Sequence, residues 1–375
     1  MATIAKSLTA IPILDLRAQY TTLKEEIRSA IDTVLERQHF ILGPEVKNLE
    51  QEIAKYCGRK YGIGVASGTD ALILAFKACG VGPGDEVIVP SFTFIATADA
   101  VSLLGAKPVF ADIQPDTFNI DPAEIEALIT SRTKAIVPVH LYGQSADMDP
   151  ILAVANAHNL KVVEDTAQAL GATYRGRRTA SLGDVGCISF FPSKNLGCYG
   201  DGGMVVTDSE EIYRKVISLR AHGSTKKYFS EEQGWNSRLD ELQAAILRVK
   251  LRYLDNWGEQ RRAVADRYDS LLRYLDVVTP RRNDFGSHVF HQYTIRVPHR
   301  DAMQKSLAEA GISTMVYYPV PIHLQPIYSH LGYKEGDLPE TEAACQEVLS
   351  LPIFPELTEE QSGCVADAIA AALNR

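Results

Sequence analysis

Residues 186–207 have the sequence GCISFFPSKNLGCYGDGGMVVT, and the organisation of the whole chain follows from this stretch. The apolar run 185–191 precedes a single lysine, Lys194, and a glycine-rich segment and the β-branched run 205–207 follow it. Both apolar runs are typical of β-strands. Because glycine permits close backbone approaches that side chains block, such a loop can hold a lysine in a cleft. Most lysines are solvated surface residues, so this stretch alone leaves Lys194 either functional or merely exposed.

The composition is that of a globular protein, with 46% apolar and 23% charged residues. A chain of 375 residues exceeds the size that one hydrophobic core usually supports, which predicts two domains. No apolar run approaches the ~20 residues that span a bilayer, and the amino terminus lacks the apolar core of a secretory signal. The six cysteines occur without CxxC pairs, which is typical of reduced thiols and predicts a cytoplasmic location.

The charge and the histidine spacing exclude two classes of ligand. A formal net charge of −9 argues against non-specific nucleic-acid binding. The nine histidines show no tight ligand spacing such as HExxH, so no metal site is expected. An anionic substrate would therefore have to meet a local cluster of basic residues.

Short apolar runs alternate with helical segments through the first part of the chain. The runs expected to be strands are 62–66, 86–89, 108–111, 135–139, 161–164 and 186–191. The helical segments between them are 69–79, 93–104, 122–129 and 149–158. This alternation predicts an α/β fold with a mainly parallel central sheet sandwiched by helices, and ligands beyond the carboxyl ends of its strands.

The sequence changes character after Arg238. Apolar residues then recur at three- and four-residue steps, which predicts a long helix with the stripe Leu242, Ile246, Val249, Tyr253 and Trp257. The remainder mixes a strand-like run, a proline-rich loop and helices, and Thr358 and Gln361 have the spacing of a capping box. We therefore expect a large α/β domain, residues 1–250, and a smaller C-terminal α/β domain, residues 251–375.

Two short motifs are suited to a phosphate. Gly68 and Thr69 follow the first predicted strand and open a helix, where backbone N–H groups attract an anion. Ser189 lies five residues before Lys194 and adds a hydroxyl. Ser67 and Thr69 are equally typical of a helix N-cap without a ligand, so taken alone the motif leaves both interpretations open.

Three residues at other strand ends are suited to a flat ring. Asp165 can form an ion pair with a protonated ring nitrogen, Gln168 can bond to a ring oxygen, and a phenylalanine of the run Ser91-Phe92-Thr93-Phe94 can cover a ring face. Each has a structural alternative, because Asp165 could be a turn carboxylate and the phenylalanine could pack in the core.

Together with Lys194 these residues specify a site for a flat, phosphorylated ring that carries an aldehyde, which is pyridoxal phosphate. Lys194 can form a Schiff base with the aldehyde, an amino donor can displace it, and the released amine can then move protons. Asp165 would keep the ring nitrogen protonated, so that the ring accepts electrons.

The sequence resembles the DegT/DnrJ/StrS-type sugar aminotransferases, a fold-type I family that depends on pyridoxal phosphate and acts on keto nucleotide-sugars. Nine blocks in order carry the resemblance, and they are IPILDLRAQY, ILGPEV, SGTDAL, GDEVIVPSFTFIATADA, VHLYGQSADM, EDTAQALGA, FFPSKNLGCYGDGGMVVT, NSRLDELQAA and YYPVPIHLQPIY. They cover almost the whole chain.

The resemblance assigns roles to the candidate residues. It places Gly68, Thr69 and Ser189 at the phosphate, Phe94 on the ring face, Asp165 at the ring nitrogen and Gln168 at the ring hydroxyl. It also implies that Asn236 reaches the cofactor phosphate of a neighbouring subunit. We therefore expect a homodimer with shared active sites.

The resemblance also implies a substrate. Members that aminate C4 often carry SFHxxK followed by GEGG, whereas FFPSKNLG and GDGG in this chain are similar to members that aminate C3. We expect amino transfer from L-glutamate to C3 of a dTDP- or UDP-linked 3-keto sugar. A C4 aminotransferase, or a non-catalytic sugar-nucleotide-binding regulator on the same fold, remains the alternative.

The sugar and its diphosphate need further residues. Arg220, Lys227 and Arg238 belong to a basic cluster suited to a diphosphate, although Lys227 could be a solvated surface charge. His323 resembles the histidine that approaches the sugar, and a buried histidine is the alternative. Tyr318 lies where many members have HYP, because this chain has Tyr-Tyr-Pro.

Three rival functions fit the sequence less well. Related sugar dehydratases have histidine in place of the Schiff-base lysine, and a degenerate regulator would be expected to lose Lys194 or Asp165. A Rossmann oxidoreductase needs GxGxxG before a helix, whereas GCYGDGG precedes a strand-like run.

Overall fold

The computed structural model describes residues 10–226 and 228–374, and the statements below concern those residues. The strands are β1 (Tyr61–Val65), β2 (Glu86–Pro90), β3 (Lys107–Ala111), β4 (Thr133–Ile136), β5 (Lys161–Asp165), β6 (Thr173–Tyr174), β7 (Arg177–Arg178), β8 (Val185–Ser189), β9 (Gly203–Thr207), β10 (Ser224–Lys226), β11 (Phe229–Ser230), β12 (Gly286–Ser287), β13 (Tyr293–Arg296) and β14 (Val348–Leu351). The helices are α1 (Leu16–Arg37), α2 (Pro44–Cys57), α3 (Gly68–Ala78), α4 (Ala96–Ser102), α5 (Pro122–Ile125), α6 (Met148–Ala157), α7 (Glu210–Leu219), α8 (Glu241–Leu251), α9 (Leu254–Leu272), α10 (Arg300–Glu309), α11 (Pro339–Glu347) and α12 (Glu359–Leu373).

A seven-stranded sheet with the order β1-β9-β8-β5-β4-β2-β3 lies at the centre of the fold. Neighbouring strands from β8 to β3 are parallel, and β9 is antiparallel to both of its neighbours, β1 and β8. The predicted α/β fold with a mainly parallel sheet is therefore confirmed.

Helices cover both faces of the sheet, which explains why its strands are apolar along their length. Val162 and Val163 are consecutive residues of β5, yet they belong to two different core clusters. The same holds for Cys187 and Ile188 on β8. Successive side chains of a strand point to opposite faces, so both faces need apolar residues.

The carboxyl ends of β1, β2, β5 and β8 meet at one edge of the sheet. α3 begins there at Gly68, and the Oγ of Ser67 accepts a hydrogen bond of 3.0 Å from the backbone N–H of Asp70. The N-cap considered from the sequence is therefore present. It leaves the first backbone N–H groups of the helix directed at this edge.

A second hydrophobic core lies in the C-terminal part of the chain. It joins α9, α10 and α12 with the antiparallel pair β13–β14, and Ile11 from the amino-terminal segment also packs in it. The predicted capping box of α12 is confirmed, since Thr358 and Gln361 exchange bonds of 3.0 and 3.1 Å. The predicted long helix is instead two helices, α8 and α9, and the domain boundary at residue 250 stays a prediction.

The described ranges contain no helix that combines the length and the apolar character of a bilayer crossing. All six cysteines are free thiols.

Candidate active site

A cleft of about 350 Å³ opens at the carboxyl edge of the sheet. Eight of the residues singled out from the sequence line it: Gly68, Thr69, Phe94, Asp165, Gln168, Ser189, Lys194 and Tyr318. They come from five separate segments of the chain, and four of these lie at or just after the carboxyl ends of β1, β2, β5 and β8.

Lys194 lies in the loop that follows β8. The turn that carries it is tight, since the backbone N–H of Lys194 donates to the carbonyl of Phe191 at 2.8 Å. A Cβ on Gly197 would lie 2.4 Å from the carbonyl oxygen of Pro192, so only glycine fits there. Burial lowers the pKa of Lys194 to about 8, and the nearby Asp165 carboxylate acts in the opposite direction. At pH 7 about one such lysine in ten is a neutral amine, the form that attacks an aldehyde.

Asp165 is the last residue of β5 and is 6% exposed. Its Oδ2 accepts a bond of 2.8 Å from the hydroxyl of Thr97, and its Oδ1 accepts one of 3.1 Å from the backbone N–H of Ala167. The carboxylate is thereby held in one orientation at the edge of the cleft. Such a carboxylate is suited to a protonated ring nitrogen.

The start of α3 forms an anion site opposite Ser189. Among the described residues, the backbone N–H groups of Gly68 and Thr69 have no partner. A Cβ on Gly68 would lie 2.6 Å from the Cβ of Ser189, so glycine alone lets the two segments approach. Two free N–H groups, a hydroxyl and the positive end of an 11-residue helix are suited to a phosphate.

Aromatic rings and an amide cover the wall of the cleft. Phe94 is 54% exposed and lies 6.2 Å from the ring of Tyr318. The Oε1 of Gln168 accepts from the backbone N–H of Tyr142 at 2.8 Å, and its Nε2 donates to the hydroxyl of Tyr318 at 3.0 Å. One N–H of this amide is left for a ring oxygen.

Two predicted substrate residues, Arg220 and His323, do not line the cleft of their own chain. Arg220 is 6% exposed, and its guanidinium donates to Glu50 at 2.6 Å and to the carbonyl of Gly64 at 2.7 Å. His323 is 1% exposed and bridges the hydroxyl of Ser91 and the carboxylate of Glu342. Both side chains hold segments of the chain together, and their roles toward a substrate stay predictions.

The remaining predicted residues lie on the surface or outside the described range. Asn236 is exposed and pairs with Ala221 through its backbone, away from the cleft of its own chain. Arg238 is partly exposed and forms no ion pair with any described residue. Lys227 lies outside the described residues.

The sequence analysis missed several residues of the site. Those that also line the cleft are Thr93, Ser193, Asp201, His291, Gln292 and Tyr317. Thr97 could have been found, because it follows Thr93 by one helical turn directly after β2, and their hydroxyls are 3.3 Å apart. His291 and Gln292 carried no signal, since they belong to the run HQYTIRV, which predicted only a strand.

The residues of the cleft fit pyridoxal phosphate. Gly68, Thr69 and Ser189 would hold its phosphate, Asp165 its ring nitrogen and Lys194 its aldehyde. When bound, the cofactor supplies an aldehyde that exchanges amino groups and a ring that accepts the electrons of the broken C–H bond.

Fold and site together define a pyridoxal phosphate-dependent aminotransferase. The chain belongs to the DegT/DnrJ/EryC1/StrS aminotransferase family, whose model matches residues 21–370. The class of enzyme, the fold and the cofactor predicted from the sequence are therefore confirmed.

Similar proteins match nearly the whole chain. A protein of Geobacillus stearothermophilus named pleiotropic regulatory protein is 56% identical over 96% of this chain and 98% of its own. The UDP-N-acetyl-3-dehydro-α-D-glucosamine 3-aminotransferase of Acidithiobacillus ferrooxidans is 50% identical over 98% of this chain and 99% of its own.

Solved structures match equally well. DesV of Streptomyces venezuelae, in complex with a ketimine intermediate, has a TM-score of 0.96 and 46% identity over 98% of this chain and 99% of its own. NtdA of Bacillus subtilis, with bound pyridoxamine phosphate, has a TM-score of 0.92 and 35% identity over 100% of this chain and 87% of its own.

Proposed function

We propose that the protein transfers an amino group from L-glutamate to C3 of a UDP- or dTDP-linked 3-keto sugar. The observation that supports the chemistry is the position of Lys194 in the cleft, where burial lowers its pKa to about 8 and Asp165 lies nearby. The choice of C3 is supported by the FFPSKNLG and GDGG pattern and by the 3-aminotransferase of A. ferrooxidans. The alternative within the family is amination at C4.

Each side chain of the cleft has a separate task in this reaction. The amine of Lys194 would hold the cofactor through its aldehyde and, when released by the donor, would move a proton. Asp165 holds the proton on the ring nitrogen, and the start of α3 fixes the phosphate end. The exposed Phe94 covers one face of the ring.

We also propose a homodimer with shared active sites. Asn236 and Arg238 lie outside the cleft of their own chain, where they are free to reach a second one. The hairpin β10–β11 beside them exposes 64% of Phe229, an apolar surface suited to a partner. In such a dimer Asn236 would contact the partner's cofactor phosphate, and Arg238 with Lys227 would contact the diphosphate of the substrate.

Two further proposals concern the whole protein. We propose a cytoplasmic location, supported by the six free thiols. We propose two domains that divide near residue 250, supported by the separate C-terminal core and by the break between α8 and α9.

A regulator without catalysis is the competing function, and the name of the G. stearothermophilus relative favours testing it. A regulator needs neither a reactive lysine nor a carboxylate at the ring nitrogen. This chain has both, which supports an enzyme.

The test is the visible spectrum of the purified protein, recorded before and after L-glutamate and then with a panel of keto nucleotide-sugars. The native protein is expected to show the absorbance of cofactor bonded to Lys194, to lose it with glutamate and to regain it with the correct sugar. Lys194→Ala should abolish the band and turnover, whereas Lys161→Ala, at the opposite end of β5, should change neither. Full turnover by the Lys194→Ala variant would disprove the mechanism.

A further inference from the structure

A histidine that the sequence analysis did not consider lies in the same cleft as Lys194. His291 lines the cleft and is 6% exposed. Its Nδ1 lies 3.1 Å from the Oδ1 of Asn195, the residue that follows Lys194 in the chain. One side of His291 is thereby tied to the loop that carries the reactive lysine.

The amide of Asn195 determines which nitrogen of His291 carries the proton. The Nδ2 of Asn195 donates to the carbonyl of Val289 at 3.1 Å, which directs its Oδ1 at the imidazole. An oxygen can only accept, so the Nδ1 of His291 must be the donor. In the neutral ring the Nε2 is then an acceptor, and it has no hydrogen-bond partner among the described residues.

The charges around His291 keep it neutral. Burial is the main cause of the lowering of its pKa far below the usual value, and the cations of Lys194 and Arg261 act in the same direction. Lys194 and the carboxylates of Asp165 and Asp201 line the cleft with it, and Arg261 on α9 donates to the carbonyl of Phe290, the residue before His291. A neutral imidazole therefore presents a lone pair beside the lysine.

We propose that His291 is a positioning residue. Its Nε2, which no described residue occupies in this structure, accepts a hydrogen bond from the Lys194 amine when that side chain turns toward it, and the bond orients the amine for proton transfer. The inference rests on the proposed function, because in that reaction the released lysine moves a proton. Orientation matters here, since a misplacement of about 1 Å of a catalytic group can slow a reaction 100-fold.

The decisive measurement uses the cofactor-free protein, in which Lys194 can be titrated directly. The rate at which trinitrobenzenesulfonate modifies Lys194 is measured against pH by peptide mass spectrometry. In the native protein the midpoint is expected near pH 8. A hydrogen bond from the ammonium to Nε2 stabilises the charged form, so His291→Phe should lower this midpoint by about one unit.

Two variants make the result specific. His291→Gln keeps an acceptor at the same reach and should restore the native midpoint. His288→Gln is the matched control, because His288 is also buried and lies on the same segment but does not line the cleft, and it should leave the midpoint unchanged.

Two outcomes would overturn the proposal. A rise of the midpoint in His291→Phe would mean that an imidazolium had stood beside Lys194, and an unchanged midpoint would mean that the two groups do not touch. Should His291→Phe not fold, ¹⁵N spectra of the native protein decide instead. The signal of His291 is identified as the histidine signal that shifts when Lys194 is modified. An Nε2–H tautomer or an imidazolium at pH 7 for that histidine would refute the proposal.

The holoenzyme provides an independent second measurement. His291→Phe should lower the rate of the glutamate half-reaction about 10- to 100-fold with little change in KM, and His291→Gln should recover part of the loss. These results separate the two proposals. Failure of every keto sugar with the native enzyme would refute the proposed substrate and leave the titration of Lys194 to decide the role of His291.

Discussion

Burial controls the acidity of the lysine in the cleft, yet burial alone does not make a lysine functional. Lys250 is 1% exposed, and burial lowers its pKa to about 8, as it does for Lys194. The Nζ of Lys250, however, donates to the carbonyl of Gly197 and lies outside the cleft. What distinguishes Lys194 is its place among Asp165, Ser189 and the start of α3 at the carboxyl edge of the sheet.

The role of Asp165 can be tested by Asp165→Asn, which removes the charge with little change of volume. We expect the glutamate half-reaction to slow at least about 100-fold, because the ring nitrogen would lose the carboxylate that keeps it protonated. Stopped-flow absorbance measures this rate. Asp184→Asn alters a carboxylate outside the cleft and should have no such effect, and a native rate in Asp165→Asn would exclude Asp165 as the partner of the ring nitrogen.

The buried His288 predicts how stability depends on pH. Its ring stacks on Phe290 at 3.8 Å, and burial lowers its pKa to about 3. Between pH 6.5 and 3 the unfolded chain binds a proton here that the folded protein does not. Stability is therefore complete above pH 6.5 and falls as the pH decreases, by about 1.4 kcal/mol per pH unit from this residue.

His288→Phe keeps the stacking and removes the titration. Between pH 6 and 4 the free energy of unfolding, measured with denaturant, should then depend on pH less steeply by about 1.4 kcal/mol per pH unit. Near pH 8 the difference in unfolding free energy between the two proteins should not change with pH. An unchanged slope would mean that His288 is protonated in the folded state.

At the scale of elements, the site depends on how closely the start of α3 approaches the end of β8. Gly68 permits this approach, because a Cβ there would lie 2.6 Å from the Cβ of Ser189. Gly203 on β9 has a similar role, since its Cβ would lie 2.2 Å from the carbonyl oxygen of Ser67. The anion site is therefore a consequence of the packing of α3 against two strands.

Gly68→Ala should separate α3 from β8 and weaken the binding of pyridoxal phosphate about 10-fold or more. Titration of the cofactor-free protein by absorbance gives the affinity. Gly82→Ala is the control, because a Cβ there meets nothing within 4 Å. Equal affinities in the two variants would show that the close approach at Gly68 does not shape the phosphate site.

At the scale of the whole molecule, the cleft of one chain does not contain all of the predicted site residues. Asn236 and Arg238 lie away from the cleft, and the exposed hairpin β10–β11 lies next to them in the chain. Either these residues serve a second subunit or the resemblance misleads about their role. A subunit-mixing experiment distinguishes the two.

Lys194→Ala and Asn236→Ala should each be poorly active alone, the second through weak cofactor retention. In a dimer with shared sites, a mixed dimer combines the native Lys194 of one subunit with the native Asn236 of the other. Refolding the two variants together should then restore activity in about a quarter of the sites. Activity equal to the mean of the two separate variants would contradict a shared site.

Much of the fold and part of the site could be predicted from particular residues. The runs around Ile63, Ile88, Val163 and Ile188 predicted their strands, because strands buried on both faces must be continuously apolar. The predicted long helix was wrong, since its apolar stripe continues across the break between α8 and α9. An apolar stripe indicates which face is buried, but it does not indicate where one helix ends and the next begins.

Arg220 and His323 show the same limit within the site. Their residue types suit a diphosphate and a sugar, yet in the structure both side chains are buried and form hydrogen bonds to Glu50 and Ser91. His291 shows the reverse, because neither its type nor its spacing marked it and only packing brings it to Asn195.

The sequence by itself determined the fold class and the cofactor and predicted Lys194 as the residue that bonds to it, because glycines, strand ends and a single lysine between them are local features. Only the tertiary structure decided which polar side chains line the cleft and which are occupied inside the protein. Hydrogen bonds such as those of Thr97 and His291 join residues 68 and 96 positions apart in the chain, so they exist only once the sheet has brought its loops to one edge.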